Sequence, residues 1–257
     1  MALTRDQIKI VENTIKESLR KKYKSYKRET INMPFHYRLL GRDRMAVFSF
    51  IHSLNTTFGT SIFEPVAETL SSLNFTVAQK KYVVGDTISE QAQNEIQHIM
   101  NDLTIGHSPN KVNEIERIRK VCNKGTINKL KTIKVDLYVK SKDGTVHLFD
   151  LKTVKPNIGD FKYFKRTLLE WIAIFLSKNP NANVHSYIAI PYNPYEPKPY
   201  ERWTLKGMLD LDNELKVAGE FWDFLGGDGA YSELLDCFES VGIELRPEID
   251  EYFSKFK

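Results

Sequence analysis

The sequence predicts an α/β (α+β) protein, a mixed central β-sheet flanked by helices, in a single domain over residues 1–257. Three observations predict it. Residues 131–139 and 145–154 are two runs rich in β-branched and aromatic residues, joined across Asp143-Gly144, as in a hairpin. Residues 160–178 place Phe161, Phe164, Leu168, Trp171, Ile172 and Phe175 at i, i+3 and i+4, an amphipathic helix that Asn179-Pro180 ends. Residues 184–191 return to a short apolar run closed by Pro191, a further strand.

The remaining elements follow in order. Residues 4–29 carry Ile8, Val11, Ile15 and Leu19 at helical spacing. Two helical patterns over 43–57 and 61–73 are separated by Phe58-Gly59-Thr60-Ser61, with Ser61 as N-cap and Glu64 completing a capping box. A strand is expected over 75–84, then helices over 87–103 and 111–122. After the Pro- and Tyr-rich loop at 192–200 the chain reads as helical, with Tyr231, Leu234, Leu235, Phe238 and Val241 on one face. A helical N-terminal region (about 1–60) thus precedes a core over about 61–250. There is no internal repeat.

Composition excludes several classes. An apolar fraction of 41% supports a core, yet no run approaches the length of a membrane span. The first residues lack the apolar stretch of a secretion signal, so a cytoplasmic location is expected. Cys122 and Cys237 match no zinc or redox spacing and read as free thiols. The six histidines show no paired metal spacing. Gly226-Gly227-Asp228-Gly229 lacks the Lys-Ser/Thr of a phosphate loop, so no nucleotide cofactor is expected. The net charge of +4 is mild but segregated. Basic residues cluster over Lys16–Arg28 and Lys111–Lys134, whereas Asp210–Asp250 is acidic, as in a protein with one phosphate-facing side.

The chemistry concentrates on the hairpin. Alternate residues of a strand share a face, so Asp150 and Lys152 project together while Leu151 turns inward. On the partner strand Val135, Leu137 and Val139 are expected on one face, Asp136 and Tyr138 on the other. The hairpin can then set Asp136 beside Asp150, giving two carboxylates and an ammonium at one end of a sheet. Hard oxygen ligands of this kind suit Mg²⁺, which lowers the pKa of a bound water and neutralises charge on a phosphodiester under attack. Acid-x-Lys tripeptides also occur at Asp160, Glu196 and Glu214, but none lies on an apolar strand paired with a second acid. Charges interrupting a strand of this apolarity are costly unless they serve a purpose.

Val135-Asp136-Leu137-Tyr138 followed by Phe149-Asp150-Leu151-Lys152-Thr153 resembles the PD-(D/E)XK nuclease superfamily, with Val135 where the motif carries proline. Val154-Lys155-Pro156-Asn157, Lys165-Arg166-Thr167-Leu168-Leu169-Glu170-Trp171 and Glu220-Phe221-Trp222-Asp223-Phe224-Leu225-Gly226-Gly227 are similar to the TdeIII group of type II restriction endonucleases. The resemblance implies a restriction-endonuclease-like fold in a prokaryotic cytoplasmic enzyme. It implies metal ligands Asp136 and Asp150, a catalytic Lys152, and a glutamate from an early helix, Glu64 with Glu68 in reserve. Double-stranded DNA is the implied substrate, cut at a short palindromic, GGNCC-like site by a homodimer to leave 5′-phosphate ends. DNA contacts are expected from Lys155 and Asn157, just after the catalytic strand, and from Lys165 and Arg166 on the polar side of the next helix. A repair or junction-resolving nuclease, or a non-catalytic DNA-binding module, would share the motif.

Overall fold

The computed structural model describes residues 3–26, 33–152, 161–200 and 207–254. Among them, five strands form one sheet in the order β1-β2-β3-β4-β5. These are β1 (Val77–Ser89), β2 (Ile127–Lys140), β3 (Val146–Leu151), β4 (Val184–Ile190) and β5 (Leu215–Val217). The β1–β2 and β2–β3 pairs are antiparallel, and β3–β4 and β4–β5 are parallel. Gly144, at φ +89°, supplies the left-handed residue of the β2–β3 turn, which the Asp143 carboxylate braces by accepting from Thr145. The three-residue β5 lies where a helix is expected from sequence; it is too short for a period-2 pattern to register.

Helices cover both faces. On one, α5 (Glu90–Thr104), α6 (Lys111–Arg119) and α7 (Phe161–Lys178) pack over Val135, Tyr138, Leu148 and Ile188. On the other, α1 (Arg5–Ser25), α4 (Glu64–Ser72), α9 (Gly219–Gly226) and α10 (Ala230–Glu244) pack over Leu137, Val139, Phe149 and Ala189. Short helices α2 (Pro34–Leu40), α8 (Leu211–Glu214) and α11 (Arg246–Ser254) complete the set. Gly85 is obligatory where α7 crosses β1: a Cβ there would lie 2.7 Å from Ile174 Cγ2. His147 is structural, with its ring nitrogens on Ser141 Oγ and the Tyr187 hydroxyl.

Several expectations need correction. Ser61 does not cap a helix. The chain runs helically from α3 (Arg42–Phe58) through a π turn (Gly59–Phe63) straight into α4, without a side-chain cap. The N-terminal basic cluster is partly spent on the acidic C-terminal segment: Lys16 pairs with Glu244 at 2.5 Å and Arg20 with Glu248 at 2.6 Å. Lys22 is buried against Ser53.

Lys165 is not on a solvent face at all. It is fully buried, and its Nζ lies 2.5 Å from Glu114 Oε2 and 2.6 Å from Glu214 Oε2. Lys111, equally buried, places its Nζ 2.8 Å from Glu214 Oε1 and 2.9 Å from Ser186 Oγ. Two ammoniums and two carboxylates thus neutralise one another inside the protein, tying α6, α7, β4 and α8 together. Burial pushes the Glu214 carboxyl up, but Lys111 and Lys165 outweigh it and leave it below its ordinary value. Removing one partner strands the rest. Lys165→Met is expected to cost about 3–5 kcal/mol, read as a lower urea midpoint at unchanged slope. A loss under about 1 kcal/mol would mean that the cluster is hydrated and weak.

Candidate active site

The end of the sheet beyond the β2–β3 hairpin gathers the charges. The β2–β3 register Leu137↔Phe149 puts Asp136 and Asp150 opposite each other one step further on. Asp136 Oδ2 accepts from the Leu151 amide at 2.8 Å, which fixes the carboxylate on the β3 side. Asp150 is 6% exposed, and its Oδ1 lies 2.8 Å from Lys152 Nζ. That ammonium also sits over the Phe164 ring, 4.8 Å from its centroid. Burial pushes the Asp150 carboxyl up to about 6; Lys152 pulls it down, and Asp136 raises it further by charge and by a shared hydrogen bond.

The expected sharing of one face by Val135, Leu137 and Val139 fails at one point. Leu137 and Val139 belong to the α4-side core, but Val135 belongs with Tyr138 to the α7-side core. β1 makes the matching change: Ala78 packs on the α4 side, whereas Tyr82 stacks on Tyr138 at 4.1 Å between centroids. The ladder runs from Lys80↔Leu137 to Tyr82↔Val135 without the rung between Lys81 and Asp136. Both strands therefore switch faces at those two residues, and Lys81 is held at φ +53°. Alternation read from sequence assumes a regular ladder and cannot see such a slip.

The slip brings Asp136 within electrostatic reach of α4. Glu64 is 2% exposed, and its Oε2 has no hydrogen-bond partner among the described residues. Burial first, then the Asp136 charge, pushes its carboxyl up to about 7, while Lys81 and Lys80 pull the other way. Lys81 Nζ lies 4.0 Å from Glu64 Oε2. Glu68 is engaged elsewhere, accepting from the Lys80 amide and ammonium. Of the two glutamates considered from sequence, Glu64 is the one whose carboxyl feels the Asp136 charge.

Asp136, Asp150, Lys152 and Glu64 are thus brought together. Lys155 and Asn157 lie outside the described residues. Arg166 is partly exposed and donates to Gln97 on α5, while Lys165 is the buried cation described above. Lys81 was missed from sequence; a lysine pair on a strand carries no signal of a left-handed backbone. An apolar pocket of about 870 Å³, lined by Phe58, Phe63, Tyr192, Trp222 and Phe238, also touches Lys152 but none of the three acids.

The donor set suits a hard cation. Among the described residues, no three His, Cys, Asp or Glu close into a cage. Two aspartates with waters completing the shell is the arrangement Mg²⁺ favours, and the unpartnered Glu64 oxygen is a third acceptor nearby.

Comparison with known proteins bears on this arrangement. The family model described as type II restriction endonuclease, HinfI, matches residues 3–242. The chain is 29% identical to the type II restriction enzyme MjaII of Methanocaldococcus jannaschii, covering 86% of this chain and 65% of that protein, just under two thirds of its length. It is 27% identical to the type II restriction enzymes HgiCII and HgiEI of Herpetosiphon aurantiacus, covering 84% and 85% of this chain and 80% of each of theirs.

The raised Glu64 value fixes a pH dependence. A carboxyl whose folded value exceeds its unfolded one binds its proton more tightly when folded, so stability falls as pH rises from about 4.5 to about 7. Glu64→Gln removes that loss. Its thermal midpoint should match the unsubstituted protein near pH 4 and exceed it at pH 8; a midpoint lower at both would show that the carboxylate is held by a partner.

Proposed function

Because the chain belongs to the HinfI family of type II restriction endonucleases, we propose that it hydrolyses double-stranded DNA at a short palindromic, GGNCC-like site through a Mg²⁺-dependent PD-(D/E)XK centre, leaving 5′-phosphate ends. The observation that carries the reading is the convergence of Asp136, Asp150, Lys152 and Glu64 at one end of the sheet.

Asp136 and Asp150 would hold the metal, with Glu64 reaching it directly or through water. Bound there, Mg²⁺ supplies a water of lowered pKa and charge to offset that on the phosphorus. Asp136 is oriented by the Leu151 amide and by its shared hydrogen bond with Asp150, so the two carboxylates face one another without further ordering. Lys152 keeps one N–H on Asp150 Oδ1, leaving others for the attacking water and a phosphate oxygen. Such a group contributes on the order of 10²–10⁴ in rate. Lys129, Lys131 and Lys134 are exposed on the part of β2 that pairs only with β1, a two-stranded ribbon suited to phosphate contacts. Lys155, Asn157 and Arg166 complete the proposed DNA-facing set.

Cutting both strands of a palindrome needs two centres, hence a two-fold homodimer. Support comes from the apolar residues exposed on α2 and α3, Phe35, Leu39, Val47, Phe48 and Ile51, with Phe35 and Leu39 above 80% exposed. None of the described helices is long and apolar enough to cross a membrane.

A sequenced plasmid incubated with Mg²⁺ should give discrete fragments, and with EDTA none. Asp150→Ala and Lys152→Ala should each lower cleavage by at least about two orders of magnitude, while the lysine variant still binds DNA. Full cleavage by either would remove the assignment. Phe48→Asp should shift sedimentation toward the monomer and turn linearisation into nicking; an unchanged dimer would move the interface elsewhere.

A further inference from the structure

The change of faces at Lys81 and Asp136 accounts for a left-handed backbone there, but not for a lysine. A lysine at φ +53° is strained relative to ordinary strand geometry. Glycine, asparagine or aspartate would hold that conformation at lower cost. Strain of this kind persists where the surroundings impose it and gathers at functional sites.

The conformation has a geometric effect. In a regular strand Lys80 and Lys81 would point to opposite faces. Here both ammoniums turn toward α4, Lys80 to Glu68 at 2.6 Å and Lys81 to Glu64 at 4.0 Å, acids one helical turn apart. The two contacts differ in kind. Lys80 is committed, since Glu68 also accepts its amide at 2.9 Å. Lys81 makes a long ion pair with a buried carboxylate while its own side chain stays 59% exposed. It is a cation at the rim of the acid cluster, opposite Asp136 across the missing rung, reachable from solvent and loosely held.

We propose that Lys81 is a second lysine of the active site, held by its left-handed backbone so that its ammonium contacts a DNA phosphate next to the acid cluster. This rests on the nuclease reading above and adds a residue to it. In the free protein the ammonium offsets the Glu64 charge. With DNA bound it turns to a phosphate oxygen, a rotation of an exposed side chain that leaves the backbone in place. The need for a positive charge accounts for lysine at this position, since glycine would suit the backbone better but has no ammonium to bring.

The test separates strain from charge. Lys81→Gly relaxes the backbone and removes the amine, and Lys81→Arg keeps a cation. Lys142→Ala, an exposed lysine in the β2–β3 turn, serves as control. Binding to a short duplex carrying the mapped plasmid cut site is measured in EDTA across a salt series, with cleavage and thermal midpoints alongside. For Lys81→Gly the slope of log K against log salt should fall by about 0.9, cleavage should drop at least about tenfold, and the midpoint should equal or exceed that of the parent. Lys81→Arg should keep most of the slope and cleavage. The proposal is overturned if Lys81→Gly binds and cleaves like Lys142→Ala, or if its losses come with a lower midpoint and Lys81→Arg shares them. Failure of the nuclease reading is seen separately, as undiminished cleavage by Lys152→Ala.

Discussion

The site depends on a single irregularity in the sheet. β1 and β2 exchange faces together at Lys81 and Asp136, so the register on either side of the missing rung is unchanged while the next side chains, Tyr82 and Val135, turn to the other core. Without the slip, Asp136 would stay with the residues of one core. With it, Asp136 stands at the strand edge between Glu64, from the helix on one face, and Asp150, which projects with Lys152 toward the helix on the other. Asp136 and Asp150 then pair, with Glu64 within electrostatic reach of Asp136, and all three lie on regular elements, which hold a site more rigidly than loops do.

Bringing acids together in a poorly solvated place destabilises their charged forms. Asp150 is pushed to about 6 and Glu64 to about 7, in both cases mainly by burial and then by Asp136. Asp150 has a cation at 2.8 Å, whereas Glu64 has Lys81 at 4.0 Å and keeps an oxygen without a hydrogen bond among the described residues. A divalent cation is the species that would relieve this, because it favours the ionised carboxylates that burial disfavours. The second buried charge cluster behaves differently. Lys111, Lys165, Glu114 and Glu214 satisfy one another at 2.5–2.8 Å, are buried and leave nothing to bind. One cluster is balanced and structural; the other is unbalanced, open at its rim and suited to a ligand.

Much of this was legible in the sequence. The hairpin, the long amphipathic helix and the strand after it were readable because each has a period long enough to separate helix from strand, and the Asp136, Asp150, Lys152 set followed from hairpin geometry. Glu64 was named from the family resemblance, and it is the rival reading of it as a capping acid behind Ser61 that fails, since the chain passes helically through a π turn where that reading needs a helix start. Lys165 shows the opposite failure. A lysine beside an arginine on a helix is ordinarily solvated, and its burial follows from Glu114 and Glu214, which are remote in sequence.

The residues by themselves determined the fold class, which rests on local periodicity, pointed to the family through the resemblance of their motifs, and placed three charged side chains together at the hairpin, because neighbours on two adjacent strands carry them. Only the tertiary structure decided which glutamate feels the Asp136 charge, which lysines are buried, that the basic N-terminal helix is tied to the acidic C-terminal segment, and that Lys81 lies beside Glu64. Each of those turns on a contact between distant segments or on a backbone angle, and neither is written in a pattern of residue types.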